Sequence, residues 1–392
     1  MKLSKYIKII ALILSCIMLL CACSGEGESS SEASSLAGTE ENEGQAKVGY
    51  IYNDVVSHDN MTYMFEKTRH DIQTALEIET CYVDNIPVSQ FENAVKALKN
   101  EGCNIIVSAS NAFANSAYSY AKNDKDIYIM SYGGSASLSN LTCFQPKIYQ
   151  PAFICGTAAA WNSSAHKIGI VCDDTMFGSY SVINAFVLGV EQIYKIDETD
   201  VKVAFANTNS ETTAAVDDLV AQGCDVIFSY QSYDYAMYYC DSIGIKSIGF
   251  TSDVDYSAEK RGLMGFYLNW ATSLTDAVRT CIYNNFAPEV FIGGINEAFV
   301  KITPYSDNCK TETGTICDTL YEYVKKGNAK IFVGELRDKD GLARLGSGTV
   351  LTHDRIIDMD YLVYGVTYIN NYIEPIETPI IPDYAVKSEF ID

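Results

Sequence analysis

The chain has 392 residues, with 28 Lys and Arg against 50 Asp and Glu, a formal net charge of −22. A surface of that sign repels nucleic acid and anionic lipid, which excludes proteins that track a phosphate backbone. The length exceeds the ~100–200 residues of one typical domain, so two cores are expected once segments that do not fold are set aside.

Lys2, Lys5 and Lys8 precede the apolar run from Ile9 to Leu20, which is shorter than the ~20 residues of a membrane-spanning helix. Residues 1–22 therefore read as a signal peptide. The run ends in Leu20, Cys21, Ala22 and Cys23, an order that resembles a bacterial lipobox, so Cys23 is the expected lipidated first residue of the mature chain. Residues 23–46 carry Gly, Ser, Ala and Glu without one aromatic side chain and read as a flexible acidic linker. The expected address is the extracytoplasmic face of the cell membrane, held by the lipid anchor alone.

From Lys47 onward apolar runs alternate with helical stretches. "KVGYIYN" reads as a strand, Met61 to Leu76 as a helix and "ETCYVDN" as a strand. "SQFENAVKALKN" places Phe91, Val95 and Leu98 at helical spacing and stops at Gly102, a residue suited to a left-handed cap. "CNIIVSAS", "AFANSAYSYAKN" and "DIYIMSYG" continue as strand, helix and strand. The order then repeats through "HKIGIVCDD", "SVINAFVLGVEQIY", "DVKVAFAN", "TTAAVDDLVAQG", "CDVIFSYQ", "YAMYYCDSIG" and "IKSIGFTSD". Leu98 to Ser110 and Leu219 to Gln231 are near copies, each a helix end, a Gly-Cys and a buried strand. Such alternation predicts an α/β protein of two lobes, each a parallel sheet covered on both faces.

Farther on, "EVFIGGINEAFVKITPYSDNC" reads as an edge hairpin and "TICDTLYEYVKKGNAKIFVG" as a helix followed by a strand. In the tail, "MDYLVYGV" is read as a helix packed on a lobe or as part of a docking surface. Ten cysteines beyond Cys23 include no CxxC pair and read as small buried hydrophobes, with Cys309 and Cys317 as a candidate bridge.

Gly-rich phosphate loops and the GxSxG, HExxH and DxDxDG patterns do not occur, and His58, His70, His166 and His353 are scattered. The reading is a protein without catalysis, cofactor or metal. Ligands of parallel sheets bind outside the carboxyl ends of the strands. The loops there carry Asp59, Asn60, Met61 and Tyr63, then Asn111 and Phe113, then Phe177, then Tyr233, then Asp253, with Asp173 and Asp174 at the mouth. Hydrogen-bonding groups beside flat apolar ones suit a planar ring with polar edges, or a ring plus sugar.

The segments "KVGYIYND", "FENAVKALKNEGCNIIVSAS", "QPKIYQPAFICGTAAA", "HKIGIV", "INAFVLGV", "VAFANTNS", "LVAQGCDVIF", "IGFTSD" and "LNW" together resemble the basic membrane lipoprotein family of substrate-binding proteins, which includes purine-nucleoside receptors of ABC importers. The resemblance implies a type 1 periplasmic-binding fold, two doubly wound lobes around a ligand cleft, with three crossings near Thr142, Ala271 and Pro304. Residues 47–142 with 271–303 would form one lobe, and 143–270 with 304–392 the other. It also implies capture of a small, nucleoside-like molecule for an ABC permease; the alternatives are a ligand sensor on the same fold that regulates a signalling partner, or a receptor for a non-nucleoside solute. In the nucleoside receptors an aromatic position after the first strand falls on Met61 here, with Tyr63 following. Their ribose-binding acid matches Asp253, and a lysine position falls near Asn269 and Trp270.

Overall fold

The computed structural model describes residues 46–252, 262–283, 285–373 and 380–390. Cys23 and Asp253 lie outside the described residues. Gln45–Asp392 is one compact unit.

The first sheet begins with strands β1 (Lys47–Ile51), β2 (Glu79–Asp84), β3 (Ile105–Ser108), β4 (Tyr128–Tyr132) and β5 (Leu141–Pro146), which are parallel to one another. Helices α1 (Met61–Leu76), α2 (Phe91–Asn100) and α3 (Ala114–Asn123) connect the first four. The second lobe follows α4 (Tyr149–Asn162) with β6 (Lys167–Cys172), α5 (Ser179–Val190), β7 (Asp200–Phe205), α6 (Asn209–Ala221), β8 (Val226–Tyr230), α7 (Tyr235–Ile243), β9 (Lys246–Phe250) and β10 (Gly262–Leu268). Apart from their first residues, β1, β2, β4, β6 and β9 are buried throughout, and β3 and β8 entirely, as a parallel sheet covered on both faces requires.

The duplicated corner is one structure made twice. After α2, Gly102 takes φ +87°, its N–H donates to the Lys99 carbonyl at 2.9 Å, and the Cys103 N–H donates to Leu98 at 3.0 Å. After α6, Gly223 takes φ +90°, its N–H donates to Val220 at 2.9 Å, and Cys224 donates to Leu219 at 3.1 Å. These are the paired bonds of a Schellman cap, which needs a left-handed residue at the glycine position. Both cysteines are buried beneath the turn, and Asn104 and Asp225 then enter their sheets through equivalent bonds to Lys47 and Lys167.

After β10 the chain forms α8 (Ala271–Ile282), β11 (Val290–Gly293), β12 (Val300–Ile302) and α9 (Thr313–Lys325). The segment expected to be a hairpin is divided between sheets: β11 pairs parallel with β5, and β12 pairs antiparallel with β10. Gly294 between them accepts from Phe299, so the turn closes locally while its strands part. The chain thus changes sheet at 147–148, 269–270 and 294–299. The strand expected after α9 is reduced to a single bridge between Val333 and Val350. Strands β13 (Leu336–Arg337) and β14 (Ala343–Leu345) form a small hairpin, followed by the short α10 (His353–Ile357). "MDYLVYGV" is an irregular stretch rather than a helix: Val363 bridges to Asp338, and Gly365 at φ +89° breaks any helical run. Then β15 (Val366–Asn371) pairs parallel with β7, and β16 (Asp383–Lys387) pairs antiparallel with β2, so this last segment joins the first sheet. The described sheets run β11-β5-β4-β3-β1-β2-β16 and β12-β10-β9-β8-β6-β7-β15.

Helix α4 is apolar nearly all round because it is wedged between the second sheet and α5. Its Gly156 meets α5 so closely that an added Cβ would lie 1.9 Å from the Phe186 carbonyl oxygen; the reciprocal Cβ at Gly189 would lie 1.9 Å from that of Phe153. Thr157 Oγ1 donates to the Gly189 carbonyl at 2.9 Å across the same contact. The ten cysteines among the described residues, Cys309 and Cys317 included, are free thiols, nine of them buried. Because the obstacle at Gly156 is backbone, Gly156→Ala is expected to destabilise the fold by about 1–3 kcal/mol, read as a lower urea midpoint.

Candidate functional site

The carboxyl ends of β1 and β3 in one lobe face those of β6, β8 and β9 in the other, and the loops beyond them touch. The Met61 N–H donates to the Ser232 carbonyl at 2.7 Å, and the Asp234 N–H donates to the Asp59 carbonyl at 2.8 Å. Asn60 and Tyr233 form an antiparallel bridge between these two bonds. Ser252 Oγ donates to His58 O at 3.1 Å, Asn111 Nδ2 to Thr175 O at 3.1 Å, and the Tyr233 hydroxyl to Asp54 Oδ2. Behind this seam a cavity of about 90 Å³ is lined from one lobe by Asp54, Asn60, Met61, Phe65, Ser110 and Asn111, and from the other by Thr175, Met176 and Ser232. Small-molecule sites commonly enclose ~300–1,000 Å³, so a solute of nucleoside size requires the two rims to part.

Local chemistry explains the loop shapes. Asn60 caps α1, its Oδ1 accepting from the Tyr63 N–H at 3.2 Å while its Nδ2 donates to Val55 O at 2.8 Å. This fixes Met61 at the first helical position with its side chain on the cavity wall. Asp59 accepts from Ser57 Oγ and presents its carbonyl across the cleft. Asp173 folds back on its own loop, accepting from the Thr175 N–H at 2.8 Å and hydroxyl at 2.6 Å. Burial pushes the Asp173 carboxyl above the usual carboxylate range, partly opposed by those Thr175 bonds. Burial first, then the Asp54 charge, likewise push the Tyr233 phenol up.

The expected site residues divide. Asn60, Met61 and Asn111 line the cavity, Asp59 and Tyr233 form the seam, and Phe177 faces Tyr132 across the cleft at 5.9 Å between ring centroids. Four lie elsewhere. Tyr63 is half-buried and is not part of the cavity lining; it packs on His58 at 4.4 Å and lies near Phe390 at 6.5 Å. Phe113 is fully buried against Phe91 in the core under α2 and α3. Asn269 Nδ2 donates to Ala298 O at 2.8 Å, bracing one sheet change against another. Trp270 is buried among Phe65, Tyr132 and Phe144.

Several residues of the cleft were not among the candidates. Asp54 stands three residues beyond the end of β1, on the cavity wall. Phe65 sits one turn into α1 from Met61, on the cavity face. Asp234, buried, accepts from Ser252 N–H at 3.1 Å and Oγ at 2.6 Å, holding the segment after β9. The Tyr132 hydroxyl and Trp270 Nε1 are buried without a hydrogen-bond partner. Among the described residues, no cluster of three or more His, Cys, Asp or Glu could hold a metal ion. Donors, acceptors and soft apolar faces converge here, an arrangement that can bind and orient a polar ring.

Residues 45–335 match the family described as Bmp, ABC transporter substrate-binding protein PnrA-like. A purine-binding protein of Brucella abortus (strain 2308) is 23% identical over 337 residues, spanning 84% of this chain and 95% of the relative. A solute-binding protein of an ABC transporter system from Aeropyrum pernix K1 superposes with a TM-score of 0.61 at 11% identity, covering 79% of this chain and 95% of that one. A transcriptional activator of the comK gene from Bacillus halodurans superposes with a TM-score of 0.60 at 16% identity, covering 72% and 99%. At such identities the structural likeness establishes the fold, the type 1 periplasmic-binding architecture.

Two outcomes follow from the seam. Tyr233→Phe removes the phenol–Asp54 bond, so the radius of gyration in solution scattering is expected to rise; an unchanged value would count against a closing role. For Asp173 the folded state holds the proton more tightly than the unfolded one, so its contribution is full below the ordinary value of 3.8 and is lost as pH rises through the raised one. Asp173→Asn is therefore expected to lose less stability than the parent between pH 3 and pH 6, measured by urea midpoints.

Proposed function

The chain belongs to the Bmp family of PnrA-like ABC transporter substrate-binding proteins, and from that premise we propose that it captures a purine nucleoside or a close analogue between its lobes and delivers it to an ABC permease. One observation carries the choice of ligand: a purine-binding relative is matched over 95% of its length. The cleft chemistry is compatible. Met61 and Met176 approach the cavity from opposite lobes, with Phe65 on the same wall and Phe177 nearby, and polarizable sulfur beside aromatic faces suits a flat base. Asp54, Asn60, Asn111 and Ser232 offer acceptors and donors for its edges, and Asp253 is proposed for the ribose. In this reading Cys23 carries the lipid that holds the protein at the extracytoplasmic face. A sensing output is the second reading, prompted by the comK activator on the same fold; permease and ATPase genes beside this one would favour transport, a kinase or regulator gene sensing.

A thermal-shift screen of Gln45–Asp392 against purine nucleosides, nucleobases, sugars and amino acids tests the ligand. A ligand at 100 times its Kd stabilises the folded state by ~2.7 kcal/mol. The expected result is a rise in Tm with purine nucleosides that shrinks in Asn111→Ala and Asp253→Ala. A rise with sugars or amino acids alone would replace the nucleoside reading with another solute. For the anchor, Cys23→Ala is expected to move the protein from the membrane fraction to the soluble one.

A further inference from the structure

The two copies of the Gly-Cys corner differ in what faces the cysteine. In the first lobe Gly49 of β1 lies opposite Cys81 of β2 on one side and Ile106 of β3 on the other. A Cβ at Gly49 would lie 3.0 Å from Cys103 Sγ, so the missing side chain leaves the space that this sulfur occupies over β1. From there Cys103 Sγ stands 3.3 Å from Cys81 Sγ, both residues buried and 22 positions apart in the chain. In the second lobe Gly169 of β6 takes the place of Gly49, with Ile227 of β8 opposite it as Ile106 is opposite Gly49. There Lys202 of β7 stands where Cys81 does, and an added Cβ at Gly169 would meet Ile227 Cδ1 at 2.6 Å. The corner therefore folds around a lysine at this register position as well as around a cysteine, and packing alone does not call for the second thiol.

We propose that Cys81 and Cys103 become joined by a disulfide when the chain folds in an oxidising medium, stapling the corner after α2 to β2 across β1. The extracytoplasmic address proposed above is one where such bonds form and persist. The sulfurs need to approach by only about 1.3 Å to reach the ~2.0 Å of a disulfide. The hydrogen bond with Cys103 first, and then the Lys47 ammonium, hold the Cys81 thiol below its ordinary range against the effect of burial. That favours the thiolate, the attacking species in exchange.

The oxidant is a low-molecular-weight disulfide such as oxidised glutathione. One protein thiolate attacks it, forming a mixed disulfide and expelling one glutathione thiolate; the second protein thiolate attacks the protein sulfur of that bond and expels the other glutathione. Two protein thiols are oxidised, one glutathione disulfide is reduced to two thiols, and the two protons pass to those thiols. Both cysteines are buried once the corner has closed, so exchange takes place as the chain folds, and the native contact selects the pairing. A closed loop restricts the unfolded chain, so the bridge raises stability. Cys103 precedes β3, whereas the cleft lies at the carboxyl ends of the strands, so the inference is independent of which solute is bound.

The test uses purified Gln45–Asp392, reduced and unfolded in urea, then refolded either in a glutathione redox buffer or in dithiothreitol. Remaining thiols are blocked with N-ethylmaleimide under denaturing conditions and tryptic peptides are read by mass spectrometry. Lys96 and Lys99 lie between the two cysteines, so a bridge appears as two joined peptides. The expected result in the redox buffer is a Cys81–Cys103 pair, with Cys224 alkylated, and a higher urea midpoint than after refolding in dithiothreitol. That difference in midpoint is expected to vanish in Cys81→Ser and in Cys103→Ser and to persist in Cys224→Ser. Full alkylation of Cys81 and Cys103 in both buffers would overturn the inference, as would their recovery bound to glutathione or bridged to another cysteine. A Cys81–Cys103 bridge that leaves the midpoint unchanged would refute the stapling role.

Discussion

Two fully buried charges on α1 hold the first lobe in register with everything that meets at the cleft. Arg69 donates to Glu66 through Nε at 2.8 Å and through Nη2 at 2.5 Å, and neither side chain reaches solvent. Glu66 also accepts from the Tyr52 hydroxyl at 3.0 Å, just past the end of β1, and Arg69 reaches Thr80 Oγ1 on β2 at 2.7 Å. Nη1 also donates to Gln73 Oε1 at 3.4 Å, and Nη2 to the carbonyls of Ser388 and Glu389. A buried pair is retained only when its other donors and acceptors are matched, and removing one partner typically costs ~3–5 kcal/mol. Here the pair ties one helix to two strands and to the C-terminal segment. The helix it fixes begins at Met61, so the position of the cleft wall follows from a contact two turns behind it.

That arrangement shows why the two lobes, alike in topology, differ in construction. Among the described residues the second lobe shows no fully buried ion pair like this one; there α4 and α5 approach through Gly156 and Gly189 until backbone touches backbone. The first lobe is aligned by directed polar bonds and the second by the absence of side chains. Between them Trp270, Phe65, Tyr132 and Phe144 form an aromatic cluster beside the sheet change at 269–270. It packs behind Phe65, the one member that lines the cavity, and its Tyr132 hydroxyl and Trp270 indole N–H are buried without a hydrogen-bond partner.

Much of the fold was legible because its signals are local. Continuous apolar runs gave the central strands, and the Gly-Cys corners announced both Schellman caps. The edge strands were not legible, since β15 and β16 take their identity from partners more than 150 residues away, and β11 and β12, neighbours in sequence, separate into different sheets. For the cleft, position after a strand located the loops but not the direction of each side chain. Asn60 and Asn111 face inward, whereas Phe113, two residues after Asn111, turns under the helix into the core. Tyr63 is similar: once Asn60 caps α1, helical geometry sets Met61 on the cavity wall and turns Tyr63, two positions on, away from the cavity lining onto His58. Asp54 and Asp234 passed unnoticed because acids at loop ends are common in so acidic a chain.

The seam across the cleft has an energetic meaning for any guest. Each of its hydrogen bonds contributes roughly 0.5–1.5 kcal/mol net, and Met61, Asn111 and Ser232, which present groups to the cavity, spend backbone or side-chain bonds on the opposite lobe. The protein thereby carries its own competitor for the site. A solute's measured affinity is the difference between what it gains and what the seam gives up, with each 1.4 kcal/mol of seam equal to a tenfold weaker apparent Kd. Selectivity gains from the same arithmetic, because a molecule that satisfies only part of the cleft leaves the protein better bound to itself.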